Sequence, residues 1–130
     1  MTPSPALRVA DVEIRPEHYI DGFLAAVPTA QRAAYRQHAA EAARVFRKHG
    51  ALEIIEAWAD DVPEGKLTSM PMAVKLKQDE PVVFSWIVWP SKTVRQRAMQ
   101  AVMNDPDMPQ NMPFDGQRLI YGGFTPLLIA

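Results

Sequence analysis

The sequence lacks cysteine, a clear excess of charge of either sign, and any apolar run near the length of a membrane span. Without cysteine, the chain can form no disulfide, thiolate nucleophile or cysteine-ligated zinc site. The 14 Lys and Arg residues nearly balance the 15 Asp and Glu residues, so the formal net charge is −1, whereas non-specific nucleic-acid binding needs clustered positive charge. Residues 1–10 also lack the basic start and apolar run of a secretory signal. We therefore expect a cytoplasmic protein that binds neither nucleic acid nor membrane.

The chain does contain enough apolar sequence for one core. It has 130 residues, of which 48% are hydrophobic and 22% are charged. A chain of this length buries roughly two thirds of its extended surface on folding, which suffices for one domain. Three prolines interrupt the first segment, and proline disrupts helix and sheet interiors. We therefore predict an N-terminal tail over residues 1–17, in which residues 7–12 could add an edge strand, and a single domain over residues 18–130.

Apolar periodicity and breaker residues predict four strands and two long helices. The strands are expected at residues 19–27, 51–59, 82–89 and 118–124, and the helices at residues 30–49 and between Ser91 and Asp105. The first helix has a buried stripe with offsets of four, three and four, formed by Tyr35, Ala39, Ala42 and Phe46. Gly50 supplies its C-terminal stop. Residues 68–77 fit either a short helix or a strand.

The order βαββαβ predicts an α+β, ferredoxin-like sandwich, with an antiparallel sheet and two helices on one face. Several strands are apolar on both faces, above all VVFSWIVW at residues 82–89. Two helices cover only one face of such a sheet, so the other face needs a second covering layer. A second copy of the chain is the simplest one. We therefore expect a homodimer in which two sheets close a dimeric α+β barrel.

Five short motifs occur in the order found in a known bacterial family. They are DDVP at residues 60–63, VFSWI at 83–87, PSK at 90–92, MPFDG at 112–116 and YGGF at 121–124. The chain therefore resembles the YbaA-like family, domain of unknown function 1428, over most of its length beyond the N-terminal tail. The resemblance implies the dimeric α+β barrel fold and brings no established activity.

Three polar residues interrupt otherwise apolar strands: Asp21, Glu56 and Ser85. If they line the sheet face away from the helices, they could converge in a small cavity. There, burial would raise the pKa of a carboxyl group and allow it to act as a general base. The alternative, which we favour, is that each faces solvent or pairs across the dimer interface with an arginine or a backbone amide. His38 is a further candidate for acid–base chemistry.

Aromatic residues of the strands could wall a pocket for a planar ligand. The candidate pocket residues are Ser85, Trp86, Trp58 and Tyr121. Aromatic side chains in strands more often form the core or a dimer interface, so this alternative stays open. His38 and His49 are eleven residues apart on one helix, about 16 Å along its axis, and cannot share a metal ion. We expect neither a metal nor a cofactor.

Two functions are compatible with these residues. The first is an uncharacterised, small, homodimeric, cytoplasmic protein that binds a small apolar or planar molecule in the barrel. The second is a cofactor-independent, monooxygenase-like enzyme acting on a small molecule, with Glu56 or Asp21 as the base and with Trp86 and Tyr121 shaping the pocket. The second function rests on fold analogy alone, and the sequence leaves open whether the protein is an enzyme.

Overall fold

The computed structural model describes residues 12–130, which contain four strands and three α-helices. These elements are β1 Tyr19–Ala26, α1 Arg32–Lys48, β2 Glu53–Trp58, α2 Met70–Ala73, β3 Val82–Trp89, α3 Lys92–Met103 and β4 Ile120–Phe124. Short 3-10 turns precede α1 and β4. The predicted edge strand at residues 7–12 lies outside the described residues except for Val12, which belongs to no strand. No α-helix within residues 12–130 is both long and apolar enough to cross a membrane.

Local sequence signals explain where the two long helices begin and end. Helix α1 ends at Lys48, and Gly50 follows with a φ of 114°, a backbone conformation that favours glycine. Helix α3 begins after Ser91, whose Oγ accepts a hydrogen bond from the backbone N–H of Val94 at 3.1 Å. This side chain therefore caps a backbone donor that the helix itself leaves without a partner.

The ambiguous residues 68–77 form a short helix, α2, rather than a strand. Its cap is Ser69, which accepts a hydrogen bond from the backbone N–H of Met72 at 3.0 Å. Pro71 lies in the first turn, where the missing N–H of proline costs no helical hydrogen bond. Below this segment, Val74 is buried against Ala26 and Val82. The segment therefore covers one end of the sheet.

The four strands form one antiparallel sheet in the order β2-β3-β1-β4. Helices α1 and α3 pack on the same face of this sheet. Phe46 of α1 meets Trp89 edge-on, with 6.2 Å between the ring centroids. Ala98 of α3 is buried in the same cluster as Trp89 and Ile87. The predicted α+β, ferredoxin-like sandwich with its helices on one face is therefore confirmed.

The opposite face of the sheet is apolar, and part of it is uncovered by the described residues. We call it the open sheet face; strand alternation places on it Ile20, Leu24, Ile55, Phe84, Trp86, Ile120 and Phe124. Phe84 and Ile120 are each 41% exposed and Phe124 is 61% exposed. Phe84 also contacts Trp86, with 5.3 Å between the ring centroids. The described residues thus leave aromatic and aliphatic side chains of this face partly exposed to solvent.

The two consecutive glycines of β4 allow a close approach within the sheet. Gly122 and Gly123 keep regular antiparallel register with β1, opposite Gly22 and Asp21. A Cβ atom on Gly123 would overlap the ring of Tyr19, which packs directly over this position. Glycine is therefore required at residue 123 by the contact with Tyr19.

Candidate functional site

A cleft of about 390 Å³ opens between the first three turns of α1 and the adjoining strands β2 and β3. Its lining residues are Arg32, Tyr35, Arg36, Ala39, Ala40, Ala43, Ile54, Glu56, Trp58 and Val83. Those from α1 recur every three or four residues, so they form one stripe of the helix surface. The alanine side chains of this stripe are short, and their size leaves room between the helix and the sheet. The volume lies in the range of about 300–1,000 Å³ that is usual for ligand pockets.

A tyrosine–glutamate pair forms the polar part of this cleft. The Tyr35 hydroxyl donates a hydrogen bond to Glu56 Oε1 at 2.6 Å. Tyr35 is buried, whereas Glu56 remains exposed through the cleft opening. Ser85 is buried directly across from Glu56 on the neighbouring strand β3. We call these three residues the Tyr35–Glu56–Ser85 group.

The surroundings of this group raise the pKa values of both Glu56 and Tyr35. Desolvation raises the pKa of Glu56 above its ordinary value, although hydrogen bonds from Tyr35 and Ser85 oppose the shift. Desolvation, followed by the nearby Glu56 charge and the hydrogen bond to it, raises the pKa of Tyr35. Tyr35 therefore stays a neutral hydrogen-bond donor, and Glu56 holds a proton more readily than an ordinary carboxylate does. The arrangement suits proton transfer or recognition of a polar group on a ligand.

The apolar side of the cleft carries an aromatic ring and a cation. Trp58 ends strand β2 on the helix-facing side of the sheet. The guanidinium carbon of Arg32 lies 5.2 Å from the centroid of the Trp58 ring. This distance is within the range of a cation–π contact. A planar molecule entering the cleft would therefore meet an aromatic wall and an arginine.

Asp21 also lies on the helix-facing side of the sheet, but outside this cleft. It is 2% exposed, and its Oδ2 accepts hydrogen bonds from Trp89 Nε1 at 2.9 Å and Arg95 Nε at 3.1 Å. Its Oδ1 accepts a further bond from Arg95 Nη2 at 2.8 Å. Asp21 is therefore paired with an arginine, but within its own chain and not across a dimer interface as expected from the sequence. This pairing occupies both carboxylate oxygens and leaves neither positioned as a free base.

The three polar strand residues do not converge on the face away from the helices, which the sequence left as one of two possibilities. Asp21, Glu56 and Ser85 all lie on the helix-facing side instead, because their side chains alternate with the apolar set of the open sheet face. Glu56 and Ser85 are directly opposite each other, but Asp21 pairs with Ile87 two residues further along β3. The sequence left open which face of the sheet Glu56 occupies; the structure places Glu56 and Ser85 next to each other on the helix-facing side and leaves Asp21 apart from them.

The four predicted pocket residues do not wall one pocket. Trp58 lines the cleft and Ser85 lies beside Glu56, but Trp86 belongs to the open sheet face on the other side of the sheet. Tyr121 lies on the edge strand β4, where its ring is 6.4 Å from that of Phe23. The sequence left open whether these residues wall a pocket or belong to the core and an interface; strand alternation places Trp86 on the face opposite Ser85 and Trp58.

His38 lies next to the cleft without lining it. Its Nδ1 is buried without a hydrogen-bond partner in the part of the chain that the structure describes. Its ring meets Phe114 edge-on at 6.3 Å, and Phe114 in turn contacts Tyr35 at 5.6 Å. No three His, Asp or Glu side chains within residues 12–130 come together as a metal site would require. His38 is thus a neighbour of the Tyr35–Glu56–Ser85 group and does not contact Glu56 directly.

Sequence reasoning did not identify Tyr35, Arg32 and Arg36 as site residues. Tyr35 was assigned to the buried stripe of α1, which is where it lies, but nothing in the pattern indicated that its hydroxyl reaches a strand residue 21 positions away. The available signal was its type, because a buried tyrosine usually finds a hydrogen-bond partner for its hydroxyl. Arg32 and Arg36 read as ordinary charges of an exposed helix face.

Comparison with known proteins assigns the family. Residues 18–116 match the family model described as a protein of unknown function, DUF1428. The chain belongs to the DUF1428 family. The uncharacterized protein YbaA of Escherichia coli K12 is 54% identical over 113 residues, covering 85% of this DUF1428 chain and 97% of YbaA. YbaA of Shigella flexneri has the same identity and coverage. The resemblance seen in the sequence motifs is therefore confirmed.

A solved structure of similar fold belongs to an enzyme. The crystal structure of a variant of SnoaB, a cofactor-independent oxygenase from Streptomyces nogalater, aligns with this DUF1428 chain with a TM-score of 0.53. The alignment covers 87% of this chain and 96% of SnoaB, at 15% sequence identity. At that identity the likeness concerns the fold alone.

Proposed function

We propose that this protein is a homodimer whose subunits each bind a small planar molecule in the cleft beside the Tyr35–Glu56–Ser85 group. The observation that carries the proposal is the buried Tyr35 hydroxyl donating to Glu56 at 2.6 Å inside a cleft with Trp58 on its wall. Ligand sites combine an apolar or aromatic wall with a few placed polar groups in this way. The ligand thus lies between helix and sheet, and the barrel interior is left to the subunit interface.

The open sheet face supports the homodimer. Phe84 and Phe124 are 41% and 61% exposed there, and exposed apolar side chains grouped in this way are typical of an interaction site. In a twofold dimer, the open sheet face of each subunit covers the open sheet face of the other. One self-complementary interface therefore buries both. Trp86, near the middle of this face, is the residue most suited to anchor it. The single domain over residues 18–130 and the cytoplasmic location expected from the sequence belong to the same proposal.

Two tryptophan variants separate the ligand site from the interface. Trp58→Ala should lose binding of a neutral planar probe, 2-naphthamide, in an NMR titration while native mass spectrometry still shows the dimer. Trp86→Ala should shift the dimer toward monomer at dilute concentration while the folded protein still binds the probe. Each variant is the control for the other. Unchanged probe binding by Trp58→Ala would contradict the cleft, and an unchanged dimer for Trp86→Ala would contradict the interface.

A second candidate function is proton-transfer catalysis without a cofactor, favoured by the raised pKa of Glu56 in an open cleft. Glu56 would take a proton from an acidic C–H or O–H group, leaving the electron pair on the substrate, and later return the proton. Tyr35 would orient the carboxylate through the 2.6 Å hydrogen bond. The oxygenase SnoaB shows that a similar fold supports cofactor-independent chemistry.

Deuterium exchange tests the catalytic candidate. The wild-type protein in D2O should accelerate exchange of the C1 proton of 2-naphthol, followed by NMR, and Glu56→Gln should not. Glu41→Gln is a matched control, because Glu41 lies on α1 but does not line the cleft. Equal exchange rates with wild-type protein, Glu56→Gln and buffer would eliminate catalysis by Glu56 and leave the binding function standing.

A further inference from the structure

We infer that the cleft selects planar ligands that carry an anionic group, such as an aromatic carboxylate, and that Arg32 and Arg36 hold this group. The inference rests on the proposed function and adds the charge of the ligand to it. These two cations lie on one wall of the cleft.

Arg32 and Arg36 are four residues apart on α1, so they lie one turn apart on the same side of the helix. Both line the cleft. Within residues 12–130, neither guanidinium has a carboxylate partner within 4.0 Å, whereas Arg95 and Arg118 are held by Asp21 and Glu80. The two cleft arginines therefore keep their N–H donors available for a ligand.

The negative charge of Glu56 determines which end of the cleft the anionic group of such a ligand occupies. Glu56 is the one acidic residue among the described lining residues, and it is already held by the Tyr35 hydroxyl. An anionic group is repelled by Glu56 and attracted by the arginines, whose planar guanidinium groups match a carboxylate through two parallel hydrogen bonds. The ring of the ligand then lies in the cleft next to Trp58 and Arg32.

Small side chains provide the space that this orientation needs. Ala39, Ala40 and Ala43 line the wall of the cleft on the α1 side. They follow the arginines along the helix, so the cleft has a cationic end and an apolar continuation. A flat aromatic ring with one charged substituent fits this division, whereas a ligand charged at both ends would place a charge against the alanines, where no polar partner compensates it.

Two probes of nearly the same shape test the inference. At low salt, wild-type protein should bind 2-naphthoate about tenfold more tightly than 2-naphthamide, as expected for charge-assisted hydrogen bonds. The difference should shrink as sodium chloride is added, because the arginines are solvent-exposed. The double variant Arg32→Gln/Arg36→Gln should lose the preference for 2-naphthoate and bind 2-naphthamide as the wild-type protein does.

Arg97→Gln is the matched control, because Arg97 is an exposed arginine of α3 that does not line the cleft. It should retain the full preference for 2-naphthoate, and circular dichroism should show that all variants fold. Equal affinity of wild-type protein for both probes would overturn the charge selectivity while leaving the proposed binding function in place. If neither 2-naphthoate nor 2-naphthamide binds, both the charge selectivity and the proposed binding function are overturned. A preference for 2-naphthoate that survives in the double variant would show that other residues hold the anion.

Discussion

The Asp21→Ala variant should strongly destabilise the protein, because it removes the acceptor of a buried network. Asp21 accepts one hydrogen bond from Trp89 and two from Arg95, at 2.8–3.1 Å. An unsatisfied N–H on the fully buried Trp89 costs about 1–3 kcal/mol. Breaking a buried ion pair by removing one partner costs about 3–5 kcal/mol. Both costs arise from removing the same carboxylate, so they are not added. Since the Arg95 side chain keeps 19% exposure, we expect a loss of about 3–4 kcal/mol in the free energy of unfolding.

Urea denaturation monitored by circular dichroism, at one fixed protein concentration, measures this loss. A domain of this size has a total stability of about 5–15 kcal/mol, so Asp21→Ala should remain folded but with a much lower midpoint. Asp21→Asn, which keeps an acceptor for Trp89, should lose less. Glu41→Ala, which removes an exposed hydrogen bond to Gln37, should change the stability by no more than about 0.5 kcal/mol. A loss below about 1 kcal/mol for Asp21→Ala would show that the bonds to Trp89 and Arg95 do not stabilise the fold as expected.

Two further predictions concern titrating groups. In Tyr35→Phe, the pKa of Glu56 should rise further, because the hydroxyl that lowers it is removed. An NMR titration of the Glu56 carboxyl carbon measures this pKa. An unchanged value would show that Tyr35 does not stabilise the carboxylate. Asp105 accepts hydrogen bonds from Lys48, the backbone N–H of Asp107 and His49, all of which lower its pKa below the ordinary 3.8. Its contribution to stability is therefore present above pH 3.8 and is lost as the pH falls toward the lower folded-state pKa. Asp105→Asn should thus destabilise the protein more at pH 6 than at pH 3 in urea denaturation, and an equal loss at both pH values would contradict the assignment.

The element order could be predicted from the sequence because each signal is local. A buried helical stripe, a serine cap and a strand-ending proline act within a few residues, so α1, α3 and β3 were predicted close to their observed bounds. The ambiguous residues 68–77 show the limit of this reasoning. Val74 is buried there against Ala26, which lies 48 residues earlier in the chain, and against Val82, which lies eight residues later. That contact is tertiary.

The composition of the site was less predictable than the fold, for a reason specific to the strands. Strand β2 carries apolar residues on both faces, so alternation alone did not say which face Glu56 occupies. A shift of one residue in register would move every side chain to the other face of the sheet. The observed pairing of Glu56 with Ser85 fixes the register and places Glu56 under α1. Sequence patterns identified Glu56 as a candidate but did not predict that Tyr35 would contact it.

Sequence patterns alone therefore established the family, the order of strands and helices, and the apolar character of the second sheet face. These follow from periodicity, breakers and motifs, which are properties of neighbouring residues. Only the tertiary structure decided that Asp21 is held by Arg95, that Tyr35 donates to Glu56, and that Trp58 and Trp86 face opposite sides of the sheet. Those relations depend on strand register and on helix packing across long sequence separations, which no local pattern specifies.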